Sequence, residues 1–412
     1  MSSPSLMNRE HWSVASTVHL QMRALPKTPL MGWRHLLPSR QAGMPNVSNL
    51  RHTAYVTSGR AALLAALRQL NLPVGSGVLV PTYHCPTMVA PVLQAGLTPI
   101  FFPIGHDGLP MLESLERVEI EKARAIFVAH YFGLPKGLHS VRKWCDDYGI
   151  VLVEDCAHSY FGLAGNRPVG AWGDYATASL SKFFPVAEGG LLASAHRRLS
   201  HLGLASPGWR AQTKGALDVV EVAHQHGHLP GLGHLLAPLF WLKNQRKSFA
   251  PIASATSSVE ILGSRADSMM INCDMGRTGN EISVASNVLH SILPTGAIVR
   301  QRRANFAVLL SGLEDAVGAR SLVTGLPDAA APYVFPLWVD GLERSEAVYA
   351  AIRAVRLPVF RWDQVWPGTP QYAHDAGSQW SHQVLQLLCH QDLAEAELRQ
   401  VCAQLRHILQ AH

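Results

Sequence analysis

Apolar residues between positions 53 and 195 follow two alternating periodicities. Short continuous runs, such as GVLVP at 77–81 and IVLVE at 150–154, are separated by segments with apolar residues at helical spacing, such as 60–70. Unbroken apolar strands that alternate with helices are typical of a mostly parallel sheet covered by helices on both faces. We therefore predict an α/β fold for this part of the chain.

The remainder of the chain has a different pattern. Residues 200–275 are rich in His, Gly, Pro and Ser, which predicts irregular helices and loops. Helical spacing returns at 283–293 and 299–313, YVFPLWV at 333–339 has a strand pattern, and 393–408 is helical again. These elements predict a smaller α+β domain at the C-terminal end.

The length of the chain supports this division. Its 412 residues exceed one typical domain of about 100–200 residues. We predict an N-terminal extension over residues 1–50, a large domain over 51–275 and a small C-terminal domain over 276–412.

Composition narrows the class of protein. Hydrophobic residues make up 48% of the chain and charged residues 16%, which excludes a largely disordered protein. The net charge is +6, and the basic residues are scattered except for Arg300, Arg302 and Arg303. Such a cluster is typical of a solvated helix face, and no DNA-binding motif accompanies it, so no nucleic-acid partner is expected.

Cysteine and histidine usage indicates the compartment and the absence of a metal. The six cysteines form no CxxC pair, and the 21 histidines form no HExxH motif, so neither a disulfide framework nor a metal site is expected. The first residues lack the apolar region of a signal peptide, and no apolar run reaches the roughly 20 residues that span a bilayer. We expect a cytoplasmic protein without a transmembrane segment.

A first candidate site is TSGRA at 57–61, between a predicted strand and a predicted helix. Free N–H groups at a helix start, beside a small hydroxyl and a glycine, can bind an anion. The alternative is that Ser58 only caps the helix.

A second candidate is Asp155, which follows the most apolar strand of the chain. At the carboxyl end of a parallel strand, a carboxylate either caps a helix or faces a bound ligand. Taken alone, the position of Asp155 does not distinguish a helix cap from a ligand-binding carboxylate.

A third candidate is Lys182, which lies between the apolar stretches ATASL and FFP. Desolvation lowers the pKa of an amine and makes it nucleophilic toward carbonyls. The alternative is a lysine whose stem lies on apolar surface with its amine in water.

The order of the three sites favours one cofactor. Lys182 follows Asp155 by 27 positions, and both follow the anion site. Pyridoxal 5'-phosphate needs an anion site for its phosphate, a carboxylate for its pyridine nitrogen and a lysine for its aldehyde. The stretches TSGRAALLAAL, VLVEDCAHSYFG and GDYATASLSKFFPVAEGGLL resemble the DegT/DnrJ/EryC1/StrS sugar aminotransferases, which have the fold of aspartate aminotransferase, fold type I.

The resemblance implies specific roles. Lys182 would bond to the cofactor aldehyde and move the proton during the reaction. Asp155 would pair with the pyridine nitrogen, and His158 would contact the ring hydroxyl. The phosphate would be bound by Ser58, the amides of Gly59, Arg60 and Ala61, and the hydroxyl of Ser179.

Two positions stay open. Many family members place the phosphate-binding serine five residues before the lysine, where this chain has Thr177, so Ser179 and Thr177 are alternatives. The aromatic residue that stacks on the cofactor ring often falls at the position of Cys85. Tyr83 or His84 would then take that role, and we assign His84 to the cofactor site.

The resemblance also implies an activity and partners. We expect an aminotransferase that acts on a keto-sugar, nucleotide-linked, with glutamate or glutamine as amino donor, in a homodimer. Related dehydratases replace the lysine by histidine, so Lys182 favours transamination. The alternatives are a lyase or dehydratase of the same fold and a non-catalytic relative that binds a sugar nucleotide.

Overall fold

The computed structural model describes residues 24–36, 43–232 and 262–412, together with the isolated positions 236, 238 and 241. Its larger sheet has seven strands, and a separate hairpin has two. The strands up to residue 194 are β1 (His52–Val56), β2 (Gly77–Pro81), β3 (Thr98–Phe102), β4 (Ala123–Ala129), β5 (Val151–Asp155), β6 (Leu163–Ala164), β7 (Arg167–Pro168), β8 (Tyr175–Ser179) and β9 (Gly190–Ser194).

The large sheet is mostly parallel, as predicted. Its strand order is β1-β9-β8-β5-β4-β2-β3, and β6 and β7 form the hairpin. The five strands β8, β5, β4, β2 and β3 are parallel, whereas β9 is antiparallel to both β8 and β1. The carboxyl ends of β4, β5 and β8 therefore meet at one edge of the sheet, together with the end of β1.

Helices cover both faces of this sheet, as the apolar strand pattern predicted. Strand β2 is buried along its length; Leu79 packs into one apolar cluster, and Val78 and Val80 into another. Alternate residues of a strand point to opposite faces, so both faces are covered. The helices of this region are α1 (Gly59–Leu70), α2 (Pro86–Gln94), α3 (Arg117–Lys122) and α4 (His139–Tyr148).

Two segments differ from the expected pattern. Residues 111–120 have helical apolar spacing in the sequence, which predicts one helix. The structure divides this segment into a 3-10 turn, Leu112–Ser114, and α3, because the amide of Glu116 donates to the carboxylate of Glu119 at 2.9 Å and starts a new helix. Within residues 200–275, the described parts 200–232 and 262–275 are more regular than expected, since they contain α5 (Trp209–Gln225) and α6 (Leu262–Asn272), and most of the remainder lies outside the described residues. Within the described residues, no helix is long and apolar enough to cross a membrane.

A second sheet follows, with the strand order β10-β11-β13-β12 and antiparallel pairing throughout. The side chains of Phe306, Phe335 and Leu405 form part of its core. This arrangement agrees with the predicted α+β pattern, while the proposed domain boundaries stay a prediction. The elements are α7 (Val284–Ile292), α8 (Thr295–Gly312), β10 (Ala319–Ser321), β11 (Val334–Val339), α9 (Leu342–Ala354), β12 (Val359–Phe360), α10 (Ala376–Gln383), β13 (Val384–Leu388) and α11 (Glu395–Ala411).

Gly133 allows close contact between the segment after β4 and the segment that enters β11. The amide of Tyr333 donates to the carbonyl of Phe132 at 2.9 Å. Gly133 has φ +86°, and a Cβ there would lie 2.3 Å from the Tyr333 nitrogen. Only glycine fits both constraints.

We predict that Gly133→Ala lowers the free energy of unfolding by about 2–4 kcal/mol, because left-handed backbone strain and a backbone clash add together. Gly149→Ala is the matched control: Gly149 also has positive φ, +67°, but no atom lies within 4 Å of its added Cβ. Its expected loss is about 1–2 kcal/mol from strain alone. Denaturant titration of both variants measures the difference, and equal losses contradict this account of Gly133.

Candidate functional site

A cavity of about 260 Å³ lies at the carboxyl edge of the large sheet. Ligands of parallel α/β folds bind at this edge. The residues that line it come from the ends of β1, β4, β5 and β8 and from the loop after β12. They include Ser58, Gly59, Arg60, Cys85, His130, Asp155, His158, Ser179, Lys182 and Trp362.

The start of α1 forms one end of the cavity. Ser58 caps the helix, since its hydroxyl accepts from the amide of Ala61 at 3.3 Å. The amides of Gly59 and Arg60 lie in the first turn, where no intrahelical acceptor exists. Both residues line the cavity, whereas Ala61 is fully buried outside its lining. The structure therefore does not support the predicted contribution of the Ala61 amide, because the Ser58 cap already uses it.

The geometry favours Ser179 over Thr177 as the hydroxyl of this anion site. Ser179 lines the cavity, and a Cβ added to Gly59 would lie 3.4 Å from the Ser179 Cβ. Thr177 is 1% exposed and lies outside the cavity lining. Ser179, three residues before Lys182, is thus adjacent to the start of α1.

Gly189 and Gly190 join the start of α1 to the lysine turn, a role that sequence reasoning missed. The Gly189 amide donates to the carbonyl of Thr57 at 2.8 Å, and its carbonyl accepts from Leu180 at 2.9 Å. A Cβ on Gly190 would lie 2.0 Å from the Ser58 carbonyl oxygen. The adjacent pair of glycines in AEGG was the available signal.

Lys182 ends a 3-10 turn, Leu180–Lys182, that follows β8 directly. Its Nζ lies 5.1 Å from the ring centroid of Tyr333. Burial lowers the pKa of the amine, and the charge of Asp155 opposes this effect. A lowered pKa increases the neutral, nucleophilic fraction of the amine.

Asp155 ends β5 and is 9% exposed. Burial raises the pKa of its carboxyl group, while the charge of Lys182 and a hydrogen bond from the Ala157 amide, at 2.9 Å, oppose the rise. The Asp155 carboxyl and the Lys182 amine therefore influence each other's charge across the cavity.

His158 is buried between two aromatic rings. Its ring centroid lies 4.4 Å from that of Tyr333 and 4.7 Å from that of Trp362. Burial, assisted by the charge of Lys182, holds its pKa well below the usual range, so the imidazole is neutral. The Phe132 amide donates to Nδ1 at 3.4 Å. The proton of the neutral ring is thus assigned to Nε2, which can donate to a ligand oxygen.

The structure does not support the assignment of His84 to the cofactor site. Its Nδ1 lies 2.8 Å from the Pro81 carbonyl, and its Nε2 accepts from the Trp366 amide at 2.9 Å. Burial lowers its pKa to about 4. Tyr83 is also fully buried outside the cavity lining, so of the three alternatives only Cys85 reaches the cavity.

Three further residues around the cavity were not predicted. Tyr333 faces the lysine amine, Trp362 forms part of the wall, and His130 lines the floor at the end of β4. The aromatic stretch FRWDQVW was the only signal for Trp362. The other two depend on contacts between distant segments.

Glu154, next to Asp155, connects His130 at the floor of the cavity to the loop at 170–173 through hydrogen bonds. Its carboxylate accepts from His130 Nε2 at 2.8 Å and from the amides of Gly170, Trp172 and Gly173. His130, Glu154 and Cys156 lie close enough to hold a metal ion, but four hydrogen bonds already occupy the carboxylate. That the chain has no metal site stays a prediction.

The comparison with known families agrees with this geometry. The profile of the DegT/DnrJ/EryC1/StrS aminotransferase family matches residues 44–204. This part of the chain is similar to that family, and the match covers less than half of the chain. The match covers β1 to β9 and includes Ser58, Asp155 and Lys182.

Curated relatives match part of the chain. GDP-perosamine synthase of Vibrio cholerae is 31% identical over 148 residues, which cover 35% of this chain and 40% of the relative. UDP-N-acetyl-3-dehydro-alpha-D-glucosamine 3-aminotransferase of Acidithiobacillus ferrooxidans is 28% identical over 166 residues, which cover 39% and 44%. The chain thus spans less than half the length of these two relatives.

Solved structures superpose on a larger part of the chain than the curated relatives match in sequence. The putative sugar aminotransferase Spr1654 from Streptococcus pneumoniae superposes with a TM-score of 0.61 at 14% identity and covers 94% of this chain and 99% of its own. DesI has a TM-score of 0.58 at 16% identity, with coverage of 88% and 82%. These likenesses confirm the predicted fold type I.

We predict that Asp155→Asn lowers the pKa of Lys182 further in the ligand-free protein, because the substitution removes the charge that raises it. Competitive chemical labelling of the amines is carried out across a pH series and quantified by mass spectrometry. It gives the pH at which each lysine amine is half protonated. Lys143 is the internal reference, since its hydrogen bond to Asp147 raises its pKa and it does not line the cavity. An unchanged or higher midpoint for Lys182 contradicts the proposed coupling.

Proposed function

We propose that the protein is a pyridoxal-phosphate-dependent aminotransferase that transfers an amino group to a nucleotide-linked keto-sugar. The observation that carries this proposal is that a desolvated lysine amine, a buried carboxylate and an anion site line one cavity. Each of the three matches a different chemical group of the cofactor.

The donor set fits the cofactor. Ser58, the amides of Gly59 and Arg60, and Ser179 would bind the phosphate at the start of α1, where a helix end favours anions. The Asp155 carboxylate would pair with the pyridine nitrogen, and the Nε2–H of His158 would donate to the ring hydroxyl. Lys182 would bond to the aldehyde.

When bound, the cofactor supplies an electron sink for the substrate carbon that loses or gains a proton. Lys182 would have two functions: it would hold the aldehyde end of the cofactor, and its free amine would accept a proton from the substrate carbon and return it. A lowered pKa suits this role, because a neutral amine can accept the proton at neutral pH. Asp155 keeps the ring nitrogen protonated through its negative charge.

The substrate class rests on the relatives. The two named above are, by their names, a synthase of a GDP-linked sugar and an aminotransferase of a UDP-linked sugar. The net charge of +6 is compatible with anionic ligands of this kind. Glutamate or glutamine as the amino donor, a cytoplasmic location and a homodimer belong to the same proposal.

We predict that the purified protein with pyridoxal phosphate shows a visible absorption band that borohydride removes, and that Lys182→Ala abolishes the band. Lys143→Ala is the control and should retain it, because the Lys143 amine is exposed and bound to Asp147 at 2.7 Å. The band is measured by absorbance titration.

The activity itself is measured with a nucleotide-linked keto-sugar and glutamate, by following formation of the amino sugar and 2-oxoglutarate. The wild type should consume one donor for each amino sugar formed. Ammonia release without consumption of a donor indicates a lyase or dehydratase instead. A protein that stays colourless in excess cofactor indicates a non-catalytic relative.

A further inference from the structure

Arg302 is not on a solvated helix face, contrary to the expectation from its cluster. It lies in α8 and is 0% exposed, whereas its neighbour Arg303 is partly exposed. The Nε of Arg302 donates to Gln391 Oε1 at 2.8 Å, and its Nη1 donates to the Pro332 carbonyl at 3.1 Å. Its Nη2 donates to the carbonyl of Lys182 at 2.7 Å.

These acceptors are neutral oxygens, which is unusual for a buried guanidinium. A buried charge is costly unless hydrogen bonds and a partner compensate it. Burial lowers the pKa of Arg302 to about 10, so the group is still charged at neutral pH. A neutral side chain of similar size could fill this position without the free-energy cost of a buried charge. The presence of a guanidinium therefore indicates a role beyond packing.

Gln391 completes the contact with the lysine turn. Its Oε1 accepts from Arg302, and its Nε2 donates to the carbonyl of Phe183 at 2.9 Å. Arg302 and Gln391 thus bind the carbonyls of two consecutive residues, Lys182 and Phe183. These two carbonyls end the short 3-10 turn, where the turn itself supplies few partners.

The same guanidinium also binds the segment that faces the amine. Nη1 of Arg302 donates to the Tyr333 carbonyl at 3.4 Å, and the Tyr333 ring lies 5.1 Å from Lys182 Nζ. One side chain therefore fixes both the backbone that carries the amine and the backbone that carries the ring opposite it.

We propose that Arg302, oriented by Gln391, is the positioning residue that holds the Lys182 amine where it bonds to the cofactor aldehyde. The inference rests on the proposed function. Neither residue lines the cavity, so both act through the backbone of the lysine turn. A displacement of about 1 Å at a reacting atom can reduce a rate by about 100-fold, which sets the size of the expected effect.

The test compares two ligands in the same variants. Pyridoxal phosphate can bond to Lys182, whereas pyridoxamine 5'-phosphate has the same ring and phosphate but no aldehyde. Arg302→Met should slow formation of the lysine bond by about 10- to 100-fold, measured as the rate at which the visible band appears after mixing. The affinity for pyridoxamine 5'-phosphate, measured by calorimetry, should change by less than about 3-fold, because the anion site and Asp155 are intact.

Arg303→Met is the matched control. Arg303 is the next residue of α8, and its Nη1 also donates to two backbone carbonyls, those of Pro327 and Ala330, each at 2.7 Å. It does not contact the lysine turn, so the variant should bond to pyridoxal phosphate like the wild type. Arg302→Lys, which retains the charge, and Gln391→Leu should give partial losses, and they replace Arg302→Met if that variant does not fold.

Two results overturn the inference while the proposed function stands. In one, the Arg302 and Gln391 variants form the band as the wild type does. In the other, they lose affinity for both ligands equally, which indicates a general packing role. If the wild type itself forms no lysine bond, the proposed function fails, and this inference fails with it.

Discussion

Asp155 and Lys182 share one desolvated cavity because β5 and β8 are parallel neighbours, with Asp155 paired to Thr177 in the sheet. Burial acts on the two groups in opposite senses: it raises the pKa of the acid and lowers that of the amine, while each charge opposes the effect on the other. The cavity therefore contains a carboxyl group and an amine whose protonation states depend on each other, and the paired strands hold the two residues in place. The proposed chemistry depends on this pair, since one group would hold the ring nitrogen and the other the aldehyde.

The surrounding structure supports the pair mainly through backbone contacts. Gly189 connects the lysine turn to the start of α1, Glu154 binds the loop at 170–173, and Arg302 of α8 binds the Lys182 carbonyl. Such supports keep reacting groups in place without occupying space that a ligand needs. The part of the chain from α8 onward thus contributes to the site, although only Trp362 of its residues lines the cavity.

Much of the fold and the centre of the site follow from local sequence. The apolar runs predicted the parallel strands. Asp155 was identified because it follows an apolar strand and Lys182 because it lies between two apolar stretches, whereas Ser179 was named only through the family resemblance. Contacts between distant segments were not predictable: a helical pattern around 299–313 does not reveal that Arg302 points inward to Lys182. The position of His84 outside the cavity lining was not predictable for the same reason, since the Trp366 amide that donates to its ring lies far away in sequence.

The central claim is that Lys182 is the residue that bonds to pyridoxal phosphate. Borohydride reduction of the protein with its cofactor, followed by proteolysis and mass spectrometry of the peptides, tests it most directly. The account predicts the mass of a reduced pyridoxyl phosphate group on the peptide that contains Lys182 and on no other lysine peptide. A label on another lysine, such as the exposed Lys136, or no label at all would contradict it.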